Sequence, residues 1–375
     1  MSEMTENEVS QPERLTADEL RALGVSHPLL SDDEQLVAIV RLLLDIGVSL
    51  DDMIEGDLTY LAAPKLIRPD ATIEPYMAFS DDDTDREFRA KAGVALGFHI
   101  DEDSRLLTPA EVDTIQFFRA IRDIVGDEDT LAMMRVMGTA MGRVARSVVS
   151  ALRLHYETPI MDATGSLAEV ALAYRSIVEE LLPSFLDASS TVLRRHVAVA
   201  STMTTAWNVD KNRSGTMERI TVGFVDLVGF TSFTERADLQ QFVEALTAFE
   251  SQAQEVIVTN GGTLVKLIGD EAMFVAPTPA SGIEIGRRLA TLPLDGSGPA
   301  SVRIGLAAGE VVAVGGDYYG TIVNTASRIV HEAEPDSIVV TAPVANGAHA
   351  SARFEDLGLQ ELRGISEPVA LFKLL

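Results

Sequence analysis

The stretch "ITVGFVDLVGFTSF", Ile220 to Phe233, sets one carboxylate, Asp226, in a run otherwise free of charge that ends in Gly229-Phe230-Thr231. The apolar run before Asp226 reads as a strand. The Gly-Phe-Thr turn reads as the opening of a helix, whose free backbone N–H groups suit phosphate oxygens. Alone, such an aspartate is most simply a cap for the next turn. A second segment changes the balance. "TLVKLIGDEAMFVA", Thr263 to Ala276, contains two strand-like runs joined at Gly269-Asp270, as in a hairpin. With that hairpin beside the first strand, Asp226 and Asp270 stand at the same edge of one sheet. Two carboxylates brought together repel unless a divalent cation neutralises them, and hard oxygen-ligated cations usually act on phosphates. A third segment, "GGDYYGTIVNTASRIVHEA", places Asn324 and Arg328 four apart, hence on one face of a predicted helix, with Asp317 in the loop before it.

Outward from these segments the hydrophobic period changes once. From about Thr16 to Met203, apolar residues recur at three and four positions, as in "DDEQLVAIVRLLLDIG" and "SLAEVALAYRSIVEELLPSFLD". Ser31, Thr108 and Ser166 stand where N-caps are expected, with Pro109 at a first helical position. After "NVDKNRSGTMER" the period drops to two. "RITVGFVDL", "TLVKLIG", "EAMFVA", "SVRIGLAAGEVVAVG", "SIVVTA" and "VALFKLL" read as strands, with helical segments between them. The expected organisation is an acidic tail over 1–15, an all-α domain over 16–190, a linker helix and connector over 191–217, and an α+β domain over 218–375.

Composition narrows the classes. A chain of 375 residues that is 46% hydrophobic has ample material for two cores. Its net charge of -27 gives a surface that repels nucleic acid and anionic lipid, so a polyphosphate ligand requires a local site with bound cations or well-placed Lys and Arg. The absence of Cys excludes disulfides, thiolate metal sites and thiol catalysis. The polar, acidic first residues lack the regions of a signal peptide. The most apolar helical run, broken by Arg41 and Asp45, is too short to span a bilayer, so a soluble cytoplasmic protein is expected.

The ordered set F-x-D-x-x-G-F-T, K-x-x-G-D and D-x-x-G-x-x-V-N-x-A-x-R resembles the catalytic domain of class III nucleotide cyclases, over Glu218 to Leu375. The resemblance implies a ferredoxin-like βαββαβ core working as a homodimer with two shared active sites. It implies that Asp226, the Leu227 backbone and Asp270 hold two Mg²⁺ or Mn²⁺. It also implies that Lys266 and Asp317 select the base, that Phe230 and Thr231 meet the substrate, and that Asn324 and Arg328 stabilise the transition state. Adenine offers an acceptor at N1 and a donor at its amino group, which a Lys donor and an Asp acceptor complement; guanine reverses both, so ATP is favoured. Arg363 is a candidate phosphate contact and equally a surface turn residue before Gly364. Tyr319 stands where the family often has Trp, as in the class IIIc variant, and the chain's single Trp, Trp207, lies in the connector.

The helical half resembles the N-terminal regulatory domain of soluble, pH-responsive class IIIc adenylyl cyclases of actinobacteria, some of which it inhibits. That likeness rests on layout and on the linker "LLPSFLDASSTVLRRHVAVAS". His196 in this linker, beside Arg194 and Arg195, is a candidate pH-sensing residue and equally an exposed residue without a role, with Glu179 and Glu180 as competing sensors. Met133, Met134, Met137 and Met141, with Gly138 and Gly142, read as helix-dimer core, with a fatty-acid-like ligand as the sharper alternative. His99, His155, His331 and His349 lack metal-ligand spacing. Open alternatives are a degenerate nucleotide-binding sensor, a guanylyl cyclase, and a helical protein-interaction module carrying the cyclase as cargo. A diguanylate-type cyclase would need a Gly-Gly-Asp/Glu-Glu-Phe hairpin, which "IGDEA" does not supply.

Overall fold

Short polar residues followed three positions later by a carboxylate start several helices, because each satisfies backbone N–H groups that the first turn leaves without partners. The computed structural model describes residues 15–28, 30, 32–56, 58–72, 83–98, 107–203, 217–292, 299 and 301–375. The chain divides into two units, Met1–Asn208 and Val209–Leu375. The acidic tail before residue 15, His99, Trp207 and the connector 204–216 lie outside the described residues.

The first unit is helical: α1 (Ala17–Ala22), α2 (Asp33–Asp45), α3 (Leu50–Glu55), α4 (Leu58–Ile67), α5 (Asp83–Leu96), α6 (Pro109–Val125), α7 (Asp127–Leu152), α8 (Thr158–Thr164) and α9 (Leu167–Met203). Thr108 and Glu111 form a capping box at α6, with Pro109 in its first turn. The Ser166 hydroxyl accepts the Glu169 N–H at 3.3 Å. The cap of α2 is Asp32 rather than Ser31: its carboxylate accepts the Gln35 N–H at 2.9 Å, and Ser31 lies outside the described residues. A π turn, Arg153–Glu157, joins α7 to α8, with the Thr158 N–H reaching the Arg153 carbonyl. Pro159, just beyond, has no N–H to offer His155, and the wider turn absorbs that missing bond. The domain boundary expected at 190/191 falls inside α9, a continuous 37-residue helix with Pro183 in its interior.

Two apolar clusters hold this unit. Leu20, Leu36, Leu43, Met53 and Leu58 pack with Ala168 at the start of α9, and Phe88, Phe118 and Met134 lock α5, α6 and α7. Of the four methionines read as helix-dimer core, one serves the core of a single chain. Met134 is buried, while Met133, Met137 and Met141 are exposed on α7. A Cβ on Gly138 would lie 2.5 Å from the Leu96 carbonyl oxygen, so this glycine admits the end of α5 in the same chain. Nothing in this packing supports a fatty-acid-like ligand.

The second unit runs β1 (Met217–Leu227), α10 (Phe230–Thr234), α11 (Leu239–Thr259), β2 (Thr263–Ile268), β3 (Glu271–Ala276), α12 (Pro279–Leu289), β4 (Val302–Val314), β5 (Asp317–Tyr319), α13 (Thr321–Glu332), β6 (Ile338–Thr341), α14 (Ala342–Asn346), β7 (Phe354–Gln360) and β8 (Val369–Leu374). The strand order is β2-β3-β1-β4-β6-β8-β7, with β5 paired to β4. The run from β1 to β4 is the ferredoxin-like βαββαβ core. The β2–β3 hairpin forms as its sequence implied, and the structure places it antiparallel beside β1. Asp317, expected in a loop, begins the short strand β5.

Alternation divides the sheet into two packed faces. Val225, Phe274, Ile304 and Leu306 join Phe249, Ile257 and Ile285 on one face; Phe224, Met273 and Ala307 join Ala326 and Val330 of α13 on the other. A Cβ on Gly305 would sit 2.6 Å from the Val330 nitrogen and 2.7 Å from the Ala326 carbonyl oxygen. Only glycine lets α13 lie this close on β4, which fixes the helix over the sheet. Among the described residues no helix is long and apolar enough to cross a membrane.

Candidate active site

Cross-strand register sets three charged residues in one row. Glu271 on β3 faces Asp226 on β1, and Asp226 faces Arg303 on β4. Directly opposed residues share a sheet face, and Phe224, two positions before Asp226, places this row on the face covered by α13. Asp226 is only 6% exposed. Its Oδ2 accepts a hydrogen bond from Arg303 Nε at 2.6 Å. Arg303 Nη1 also donates to the His331 carbonyl, in the last turn of α13, at 3.0 Å.

Asp270 occupies the two-residue turn between β2 and β3, and its backbone carbonyl accepts the Leu227 N–H at 3.2 Å. This bond ties the end of β1 to the hairpin and brings the two aspartates together. Burial raises the Asp270 carboxyl above its ordinary value, and the charge of Asp226 adds to the rise. Glu271 is affected more strongly. Burial, then the charges of Asp226 and Asp270, push its carboxyl up to about 7 against the pull of Arg303 and Arg328. Its Oε1 is buried without a hydrogen-bond partner. An all-oxygen, mutually repelling donor set of this kind fits a hard divalent cation. Among the described residues no three His, Asp or Glu side chains converge on one point, so phosphate oxygens and water would have to complete the coordination.

Lys266 and Asp317 meet directly as an ion pair, although 51 residues separate them. A β-bulge between Leu264 and Lys266 sets this up. Leu264 and Leu267 pack on the α11 face, whereas Lys266 pairs opposite Met273, on the α13 face. Such bulges re-aim side chains. The Asp317 carboxylate also accepts the Tyr318 N–H at 2.8 Å, which fixes its orientation. Asn324 and Arg328 are exposed one turn apart on α13.

The remaining candidates divide. The Phe230 ring is 7% exposed and packs on Phe233 and Phe242, so it is a core group. The Gly229 turn and Thr231 are exposed. Arg363 is exposed between β7 and β8, beside the start of β8. Its neighbour Leu362 packs against Ile329 and Ala333 at the end of α13. His196 is exposed on α9. Arg303 and Glu271 were missed from sequence. The only signal for them was alternation parity, which places both on the face of Asp226 once the register is known.

Residues 213–374 match the family of adenylate and guanylate cyclase catalytic domains. An adenylate cyclase of Streptomyces coelicolor is 30% identical over 275 residues, covering 72% of this chain and 70% of that one. The chain belongs to the class III adenylyl cyclases. Similarity to relatives extends through the helical half. An uncharacterized protein of Mycobacterium tuberculosis is 29% identical over 96% of this chain and 94% of its own. A pH-sensitive adenylate cyclase of the same species is 24% identical over 90% and 87%. The six charged and amide residues expected of a class III cyclase thus lie in a unit of that family's fold.

Glu271 gives a pH-dependent test. Its folded value lies above the ordinary 4.5, so its ionised form is disfavoured in the fold. That penalty is absent below about pH 4.5 and complete above about pH 7. Glu271→Gln removes it. In EDTA, urea unfolding should show a stability difference in favour of the variant that grows from pH 5 to pH 8; a difference constant across that range would refute the assignment.

Proposed function

We propose that this cyclase converts ATP to 3′,5′-cyclic AMP and pyrophosphate at a site shared by two copies of the chain. The observation that carries the choice of ATP is the Lys266–Asp317 pair, a donor and an acceptor that complement the adenine edge. In the reaction the ribose 3′-oxygen bonds to the α-phosphorus, the bond from that phosphorus to the bridging oxygen of the leaving pyrophosphate breaks, and the hydroxyl proton passes to solvent or phosphate.

Asp226 and Asp270, with the Leu227 backbone, would hold Mg²⁺ or Mn²⁺, which supply positive charge to the triphosphate and acidify the 3′-hydroxyl when bound. Arg328 opposes the charge that grows on the α-phosphate, and Asn324 orients the ribose by a neutral hydrogen bond. No side chain acts as the base. Both α13 residues are exposed, which suits residues that complete a partner's site.

The helical unit is proposed to restrain the cyclase, in a pH-dependent manner. Support comes from the similarity along the whole chain to a relative described as pH-sensitive and from α9, whose unbroken run toward the connector makes it a rigid lever. Small displacements would suffice, since a site assembled from two chains depends on their relative placement.

Three measurements test these readings. Lys266→Glu with Asp317→Cys should lower the ATP-over-GTP preference at least about a hundredfold, because both base contacts become mispaired. Unchanged selectivity in cyclic nucleotide assays would reject the base assignment. Mixing an Asp270→Ala chain with an Asn324→Ala/Arg328→Ala chain, each inactive alone, should restore activity through one intact site per heterodimer; no recovery excludes the shared site. A chain beginning at Val209 should be more active than the full chain between mildly acid and neutral pH, and equal activity throughout excludes restraint by the first unit.

A further inference from the structure

We propose that Arg303 is a positioning residue of the metal site: it holds one oxygen of Asp226 in the metal-free enzyme and yields it when a divalent cation enters. Metal binding is then an exchange of counter-ions, not addition to an open carboxylate pair. This inference rests on the metal-dependent cyclase reading given above.

Four observations carry it. The Asp226 side chain is 8% exposed, so its charge requires a partner while no metal is present. Arg303 provides that partner from the neighbouring strand at 2.6 Å, set by the pairing of Asp226 with Arg303 along β1 and β4. The charge of Arg303 also acts on the Asp270 and Glu271 carboxyls. Finally, Arg303 has a second anchor in the His331 carbonyl, at the negative end of the α13 dipole. Losing Asp226 therefore does not leave the guanidinium without a partner, and the exchange can proceed without unfolding the corner.

A carboxylate oxygen that accepts a short charge-assisted bond is a poorer metal ligand until that bond is broken. A cation that must displace Arg303 binds more weakly than one meeting Asp226 unengaged. From the strength of charge-assisted bonds, the difference is about tenfold or more in dissociation constant.

The test is Mn²⁺ binding to the full chain without nucleotide, read from the electron paramagnetic resonance signal of the free ion. Arg303→Gln should bind Mn²⁺ about tenfold more tightly than the wild type. Arg303→Lys, which keeps the charge but not the fork, should fall between them and serves if the glutamine variant fails to fold. Arg328→Gln removes the same charge nearby without touching Asp226 and should tighten binding less. Asp226→Asn should abolish the site. Unchanged or weaker binding by folded Arg303 variants, or equal tightening by Arg328→Gln, overturns the exchange while leaving the metal site standing. Mn²⁺ binding that survives Asp226→Asn overturns the metal reading itself.

Discussion

A buried carboxylate must face a cation, and the corner of the catalytic unit is organised around that requirement at Asp226. The chain as a whole cannot supply the charge, since its net charge is -27. Compensation is local. Arg303 arrives from β4, held by strand register on one side and by the end of α13 on the other. The placement of α13 rests in turn on Gly305, where any side chain would strike the helix backbone. Packing on one face of the sheet and charge balance at its edge are thus one constraint. A shift of α13 would move the His331 carbonyl and Arg328 together and leave the carboxylate row short of positive charge.

The same economy of charge appears at Lys266 and Asp317. In a strongly acidic protein a lone lysine is attracted by many carboxylates, and the bulge in β2 determines which one it meets. The pair combines one donor with one acceptor, each satisfied by the other. A purine edge that replaces both bonds loses little; one that mispairs both leaves two charged groups unsatisfied. On the proposed reading, discrimination between bases follows from the geometry of one ion pair.

The helical unit is held by two separate apolar clusters, one gathering α1 to α4 at the start of α9 and one joining α5, α6 and α7. Beyond its first turns α9 is anchored by Arg175, which reaches Asp45 at the end of α2 and Glu179 on its own next turn. Residues 191–201 of α9 are exposed. Local signals at Thr108 and Ser166 were readable because capping acts over three residues. The helical period was legible across Pro183 as well, but only the structure showed that one helix runs unbroken through the boundary expected at 190/191.

By itself the sequence determined the change from helical to strand period, the hairpin at Gly269-Asp270, and the residue types able to bind a metal, a base and a phosphate. Each of these is a local property, carried by neighbours within a turn or a strand. Only the tertiary structure decided that Arg303 partners Asp226, since 77 residues separate them and strand register is a long-range choice. It also decided that one Glu271 oxygen is buried and unsatisfied, and that the Phe230 ring belongs to the core. The edge strand β7, "FEDLGLQ", was likewise hidden, because an edge with little burial needs no clean alternation. Chemistry was legible where it depends on residue type and spacing; partners were not, because burial and register emerge only when the whole sheet has formed.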